Sequence, residues 1–265
     1  MKTKPSKTQS ITLTTHRKIP ARLTATLASL TLLALPAAAQ TVLNHSFEVD
    51  DDSNNLANDG GFYSPPASWT IINVDAAGGG AYNPTGTNFT GATGAGTPSG
   101  ADGTNVFSAN VGTTTGGQFG ASQVLTGTKL TAGAVYTMTV AIGDYADLAA
   151  ANWSLGISTS SMLFGTFLNT ASGAPNSLTS DQFNDFTVSY TATGAEGQIG
   201  EDLKITLWAT KSEVSGQFVP FDNVRFTATA GPAPAPTFTV TITPNAANPG
   251  NYDFTWPSQD DKVYD

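Results

Sequence analysis

The stretch FVPFDNVRF, residues 218–226, alternates apolar and polar side chains at the period of a β-strand. Successive strand side chains point to opposite faces, so Asp222, Val224 and Phe226 are expected to share one. Val224 and Phe226 belong in a core. A carboxylate in phase with them is a conflict, because burying an unpaired charge costs several kcal/mol or more. Either a hard cation with its oxygen ligands neutralises Asp222, or the carboxylate sits half-exposed at the strand start and accepts backbone N–H groups in an Asx-type turn.

The sequence around this strand has the same character. Short runs of Thr, Val, Ile and aromatics are separated by Gly, Asn, Asp and Pro. Strands are expected at 42–48, 67–73, 105–111, 121–126, 134–143, 152–159, 162–168, 185–192, 203–211 and 219–228. No segment carries sustained helical periodicity with caps. Strands without helices predict an all-β, two-sheet antiparallel jelly-roll sandwich. Residues 76–104 are nearly all small and flexible, a composition that favours disorder, with Tyr82 and Phe89 as the sizeable anchors.

The ends differ from this middle. Residues 1–39 begin with a basic stretch, continue into LTATLASLTLLALP at 23–36 and finish in three alanines. That is the layout of a secretory signal peptide, with the mature chain starting near Gln40, and the apolar run is short for a membrane span. The expected location is therefore outside the cytoplasm: extracellular, or at the surface or in the periplasm of a bacterium. AGPAPAP at 230–236 reads as a semi-rigid Pro/Ala linker after a domain at 40–229. Residues 237–265 read as an incomplete second β module, too short to bury a core of its own.

Charge excludes several functions. Six of the eleven Lys and Arg and none of the twenty acids lie in residues 1–39, which leaves five against twenty and a net charge of −15. Such a surface repels nucleic acid and anionic lipid. The chain has no cysteine, so an exported domain must rely on its core, with or without a metal. The acidic loop at 48–61 places Asp50, Asp52 and Asn54 like the first ligands of an EF-hand but lacks the glycine and final glutamate of that motif.

Taken in order, VLNHSFE, ASWT, DGTNVFSAN, SQVLT, LTAGAVYTMTVAIGD, FNDFTVSYTAT and PFDNVRF resemble the galactose-binding-like jelly rolls. The similarity is to carbohydrate-binding modules of the family 4/9 type and related exported bacterial proteins, and it covers residues 42–228. The resemblance implies N- and C-terminal strands lying side by side. It also implies a structural calcium held by Glu48 and Asp222, with Asn44 of the same N-x-SFE segment as a further ligand.

Sugars are gripped by aromatic faces, so aromatics out of core phase are the candidate ligand contacts. In 203–211 the residues Leu203, Ile205, Leu207 and Ala209 point one way and Lys204, Thr206, Trp208 and Thr210 the other. Trp208 is thus a candidate stacking platform with Lys204 and Thr206 as hydrogen-bonding neighbours, unless a loop covers it. Tyr145, beside Asp144 and Asp147, is a second candidate. Catalytic signatures are missing: the mature part keeps one histidine, His45, and no nucleophile elbow, zinc ligand set or phosphate loop. A pair of acids sufficient for glycoside hydrolysis is not marked by any motif. The expectation is a non-catalytic module that binds a polysaccharide or other glycan. The alternative is a structural surface or matrix protein that uses the sandwich as a spacer.

Overall fold

The computed structural model describes residues 8–12, 38–49, 65–74, 78–84, 87–89, 100–112, 116–211, 217–231, 241–244, 246–247 and 252–257. The chain divides into two compact units, one of Leu33–Pro232 and one of Met1–Leu32 with Ala233–Asp265. The smaller unit holds β1 (Thr8–Thr12), β14 (Thr241–Pro244) and β15 (Tyr252–Pro257), joined antiparallel in the order β1-β15-β14. Two of these strands fall in the tail expected to be β, and one falls inside the leader-like segment.

The larger unit is the expected sandwich. One sheet contains β10 (Asn169–Gly173), β9 (Asn152–Thr159), β12 (Asp202–Thr210), β6 (Gln118–Lys129) and β3 (Thr70–Val74), in that order and antiparallel throughout. The other runs β11 (Phe183–Thr191), β7 (Val135–Gly143), β13 (Gln217–Thr229), β5 (Val106–Asn110) and β4 (Gly78–Tyr82). Short β2 (Ala38–Gln40) and β8 (Ala149–Ala150) also pair with β13, which makes seven strands. The antiparallel pairing of β2 with β13 brings the two ends of the domain together, as the jelly-roll resemblance implied.

Alternation builds the core. Tyr136, Met138, Val140 and Ile142 of β7 face Leu203, Ile205, Leu207 and Ala209 of β12 and Leu155 and Ile157 of β9, all buried. Phe47, Trp69, Phe107, Phe119 and Phe221 form an aromatic spine through this core, with ring centroids 5.2–6.3 Å apart. Three expected elements differ. Residues 42–48 are a turn, with Asn44 at φ 47° and Phe47 at φ 57°. Residues 162–168 are also turns and not a strand. Conversely, β4 lies inside the stretch expected to be disordered, because Gly78–Gly80 can pair flat against β5.

The phase conflict at Asp222 is resolved by one extra residue. Asp222 pairs with Ala141 and Arg225 with Thr139, so two residues of β13 oppose one of β7. Asn223 takes the bulge, at φ 46°. The Val224 N–H then turns to the His45 carbonyl at 2.9 Å. Asp222 is consequently in phase with Phe218 and Pro220, on the outer face, while Val224 and Phe226 point into the core. The expectation that all three share a face is corrected.

A left-handed backbone costs an ordinary L-residue about 1–2 kcal/mol, and less for Gly or Asn. Asn223→Gly should leave stability within about 0.5 kcal/mol, whereas Asn223→Val should lower it by about 1–2 kcal/mol in chemical denaturation. Equal stability of the two variants would contradict the bulge.

Candidate active site

The outer face of the seven-stranded sheet has a floor of small residues. Gly80 pairs with Ser108 and Ser108 with Pro220. Ala141 pairs with Asp222, and Gly143 lies opposite Phe183. Small side chains let large rings lie directly on the backbone. A Cβ at Gly143 would stand 2.8 Å from Cζ of Phe183, so this approach depends on glycine.

On that floor sits a second apolar cluster, separate from the sandwich core: Tyr82, Phe89, Val106, Ala141, Tyr145 and Phe183, with Ala101, Leu148 and Phe218 packed against it. Tyr145 is its hub. Its ring lies 5.2 Å from Phe89, 6.2 Å from Tyr82 and 6.3 Å from Phe218. Phe89 in turn lies 5.2 Å from Phe183.

Polar groups thread this aromatic layer. The Tyr145 hydroxyl donates to Ser108 Oγ at 3.0 Å. The Tyr82 hydroxyl donates to Asn88 Oδ1 at 2.8 Å, and Asn88 Nδ2 donates to Asp147 at 3.2 and 3.4 Å. Asn88 also accepts the Ala146 N–H, at 2.7 Å, so it ties the segment at 87–89 to the turn after β7. Burial, reinforced by Asp147, raises the Tyr82 phenol above its ordinary range, and burial does the same to Tyr145. Asp144, between Gly143 and Tyr145 in the chain, is half-buried, and desolvation lifts its carboxyl as well.

Beyond Ala141 the same face carries a carboxylate pocket. Asp222 is fully buried, with Oδ2 accepting the Asp102 N–H at 2.6 Å and Oδ1 meeting no partner. Burial is the main reason its carboxyl is pushed up to about 8, and the negative charge of Glu48 adds to it. Glu48 accepts the Thr104 and Asn105 N–H groups at 2.9 and 2.8 Å, and also the Thr104 hydroxyl and the Asn105 amide. Gly103, at φ +83°, lies so close that a Cβ would collide with the Glu48 carboxylate. Asn105 Oδ1 is a second buried oxygen without a partner.

These features suit a hard cation: two carboxylates, an idle amide oxygen and a tight backbone loop. Asn44 is not among its holders. Its amide donates to the Val49 and Ala67 carbonyls and its Oδ1 accepts the Val49 N–H, so it is spent inside its own turn. Among the described residues no three acidic, His or Cys side chains converge, and the remaining ligands would be backbone or amide oxygens. His45 stands at the rim, 3.6 Å from Asp102.

The expected stacking platform is elsewhere and closed. Trp208 points off the outer face of the five-stranded sheet as read, but it is only 7% exposed. Phe167 stacks on it at 4.9 Å and 6°, and Phe164 meets it edge-on at 5.6 Å. Lys204 donates to the Met162 carbonyl and Thr206 is buried. The cover is the turn at 160–168. Tyr145 is likewise a buried hub and not an exposed platform. Sequence reading passed over Asn88, Ser108 and Phe183, which no motif marks. The one available signal was Tyr82 and Phe89 standing as the sizeable side chains in a stretch of small residues.

Comparisons with known proteins overturn the glycan-binding expectation. The profile of the HpiC1 cyclase family matches residues 38–227. A Stig cyclase, Fisc from Fischerella sp. TAU, in complex with (3Z)-3-(1-methyl-2-pyrrolidinylidene)-3H-indole, is 22% identical at a TM-score of 0.57, over 75% of this chain and 100% of its own. A cyclase from Fischerella sp. TAU in complex with 4-(1H-indol-3-yl)butan-2-one gives 22% and 0.58 over the same shares. The sandwich likeness to these cyclase structures keeps the jelly-roll part of the resemblance, and the family match replaces its family 4/9 part. A comparison with curated protein sequences finds no match. The non-catalytic carbohydrate-binding module gives way to an enzyme family, and with a match spanning the whole sandwich the chain belongs to the HpiC1-like cyclases.

Proposed function

We propose that residues 38–227 form a cyclase that closes a ring in an aromatic substrate on the outer face of the seven-stranded sheet. The family match over 38–227 carries this reading. The aromatic layer supports it, because ring faces stabilise the positive charge that builds up during acid-promoted ring closure. Asp144 is the proposed proton donor, since burial keeps its carboxyl protonated to higher pH than usual.

The chemistry balances without a co-reactant. The Asp144 proton goes to one carbon of a substrate π-bond, forming a C–H bond and a cation. A second π-bond attacks the cation and forms the ring. The ionised Asp144 then takes back a proton, and the product is an isomer of the substrate. The indole ligands of the two Fischerella structures support an indole-bearing substrate here.

We further propose that Glu48 and Asp222 hold a calcium ion, with the Asn105 amide oxygen as a third ligand. When bound, the ion supplies charge neutralisation that fixes the loop at 100–105. Gly100 and Ala101 of that loop press on Phe183 and the aromatic cluster, so fixing the loop also fixes one wall of the layer. Export of the chain is proposed on the basic and then apolar segment at its start. No helix among the described residues is long and apolar enough to cross a membrane.

Two outcomes follow. Indoles bearing an unsaturated side chain, incubated with the protein, should give products of unchanged mass and altered chromatographic retention. Asp144→Asn should slow the conversion by roughly 10²-fold or more, the usual contribution of a general acid. Conversion unaffected by that variant would remove Asp144 from the reaction. For the cation, calcium should raise the Tm of the wild type and chelator should lower it, while Asp222→Ala should be insensitive to both. Gly103→Ala should weaken the calcium response by displacing Glu48. An identical Tm with calcium and with chelator would end the calcium assignment.

A further inference from the structure

We infer that the site takes an organic cation, a protonated amine or iminium group carried on an aromatic body. This rests on the aromatic layer being the substrate face. Around that layer Phe218, Leu148, Ala101 and the proton donor Asp144 are half-buried, and the Asp147 carboxylate is exposed. The rim therefore offers the partly exposed Phe218 ring and the negative charge of Asp147, and a ring with an anionic neighbour is the combination that recognises ammonium-type groups.

The described cations are engaged elsewhere. Lys129 pairs with Asp202, Arg225 with Asp185, and Lys204 and Lys211 donate to the Met162 and Gly112 carbonyls. An incoming cation thus meets no competing ammonium in these contacts, and the net charge of the chain steers it inward. Asn88 holds the Asp147 carboxylate in place through its amide, so the negative charge sits at a fixed position beside the Tyr82 and Tyr145 rings. An anionic substrate would face the Asp147 carboxylate with no counter-charge, and a neutral one would gain from the Phe218 ring alone.

Calorimetric titration of the full chain with three indoles of matched size tests this. Tryptamine is the cation, 3-propylindole the neutral isostere and indole-3-propionate the anion. Tryptamine should bind about tenfold more tightly than 3-propylindole, and the anion more weakly than either. Added salt should narrow the gap. Asp147→Asn keeps an acceptor for Asn88 and should collapse the ratio of the tryptamine and 3-propylindole affinities toward one. Equal binding of the cation and the neutral compound by the wild type, or preference for the anion, would overturn the inference and leave the aromatic layer standing as the substrate face. Binding of none of the three would overturn both.

Discussion

Asp222 sits at zero exposure in the middle of a sheet, with one carboxyl oxygen held by the Asp102 amide and the other held by nothing. Desolvating a carboxylate is among the larger penalties a fold can carry. Several neighbouring features are arranged around it. The bulge at Asn223 turns Asp222 away from the core, Glu48 gathers the loop at 100–105 beside it, and Gly103 leaves room for that approach. The turn at Asn44–Phe47 closes the remaining side, through the His45 carbonyl bonded to Val224. The cluster of constraints ties the start of the domain, its middle loop and its last strand into one unit.

The aromatic layer is a direct neighbour of this unit. Ala141 lies opposite Asp222 and belongs to the second apolar cluster, and Ala101 packs on the same cluster from the loop. A rigid carboxylate pocket therefore gives the rings a fixed wall. The floor of Gly80, Ser108, Ala141 and Gly143 gives them a flat seat. Ring positions that would be mobile on an open sheet face are set from two sides, which suits a face that must stabilise charge in one place.

Most of the sandwich was legible from alternation. The inward sets of β7, β9 and β12 are the ones that period-two reading assigns, and the β2–β13 neighbourhood follows from the jelly-roll resemblance. The bulge was not legible, because a single inserted residue leaves the pattern of FVPFDNVRF unchanged while reversing the side on which Asp222 stands. Trp208 was correctly placed on the outer side of its sheet, yet its exposure depended on where the turn at 160–168 folds back, and that is a tertiary matter. The site was hidden for a related reason. Its rings come from Tyr82, Phe89, Tyr145, Phe183 and Phe218, five separate segments brought together only by sheet order. Fold alone did not decide between binding module and enzyme, since one sandwich serves both.

The central claim is that the substrate face is the outer side of the seven-stranded sheet. Methyl-resolved NMR during titration with a neutral indole addresses it most directly. The account predicts that signals of Val106, Ala141 and Leu148 shift together and saturably, while Val124 and Leu163, on the Trp208 side, stay where they are. Shifts confined to Val124 and Leu163, with the first three unmoved, would contradict it.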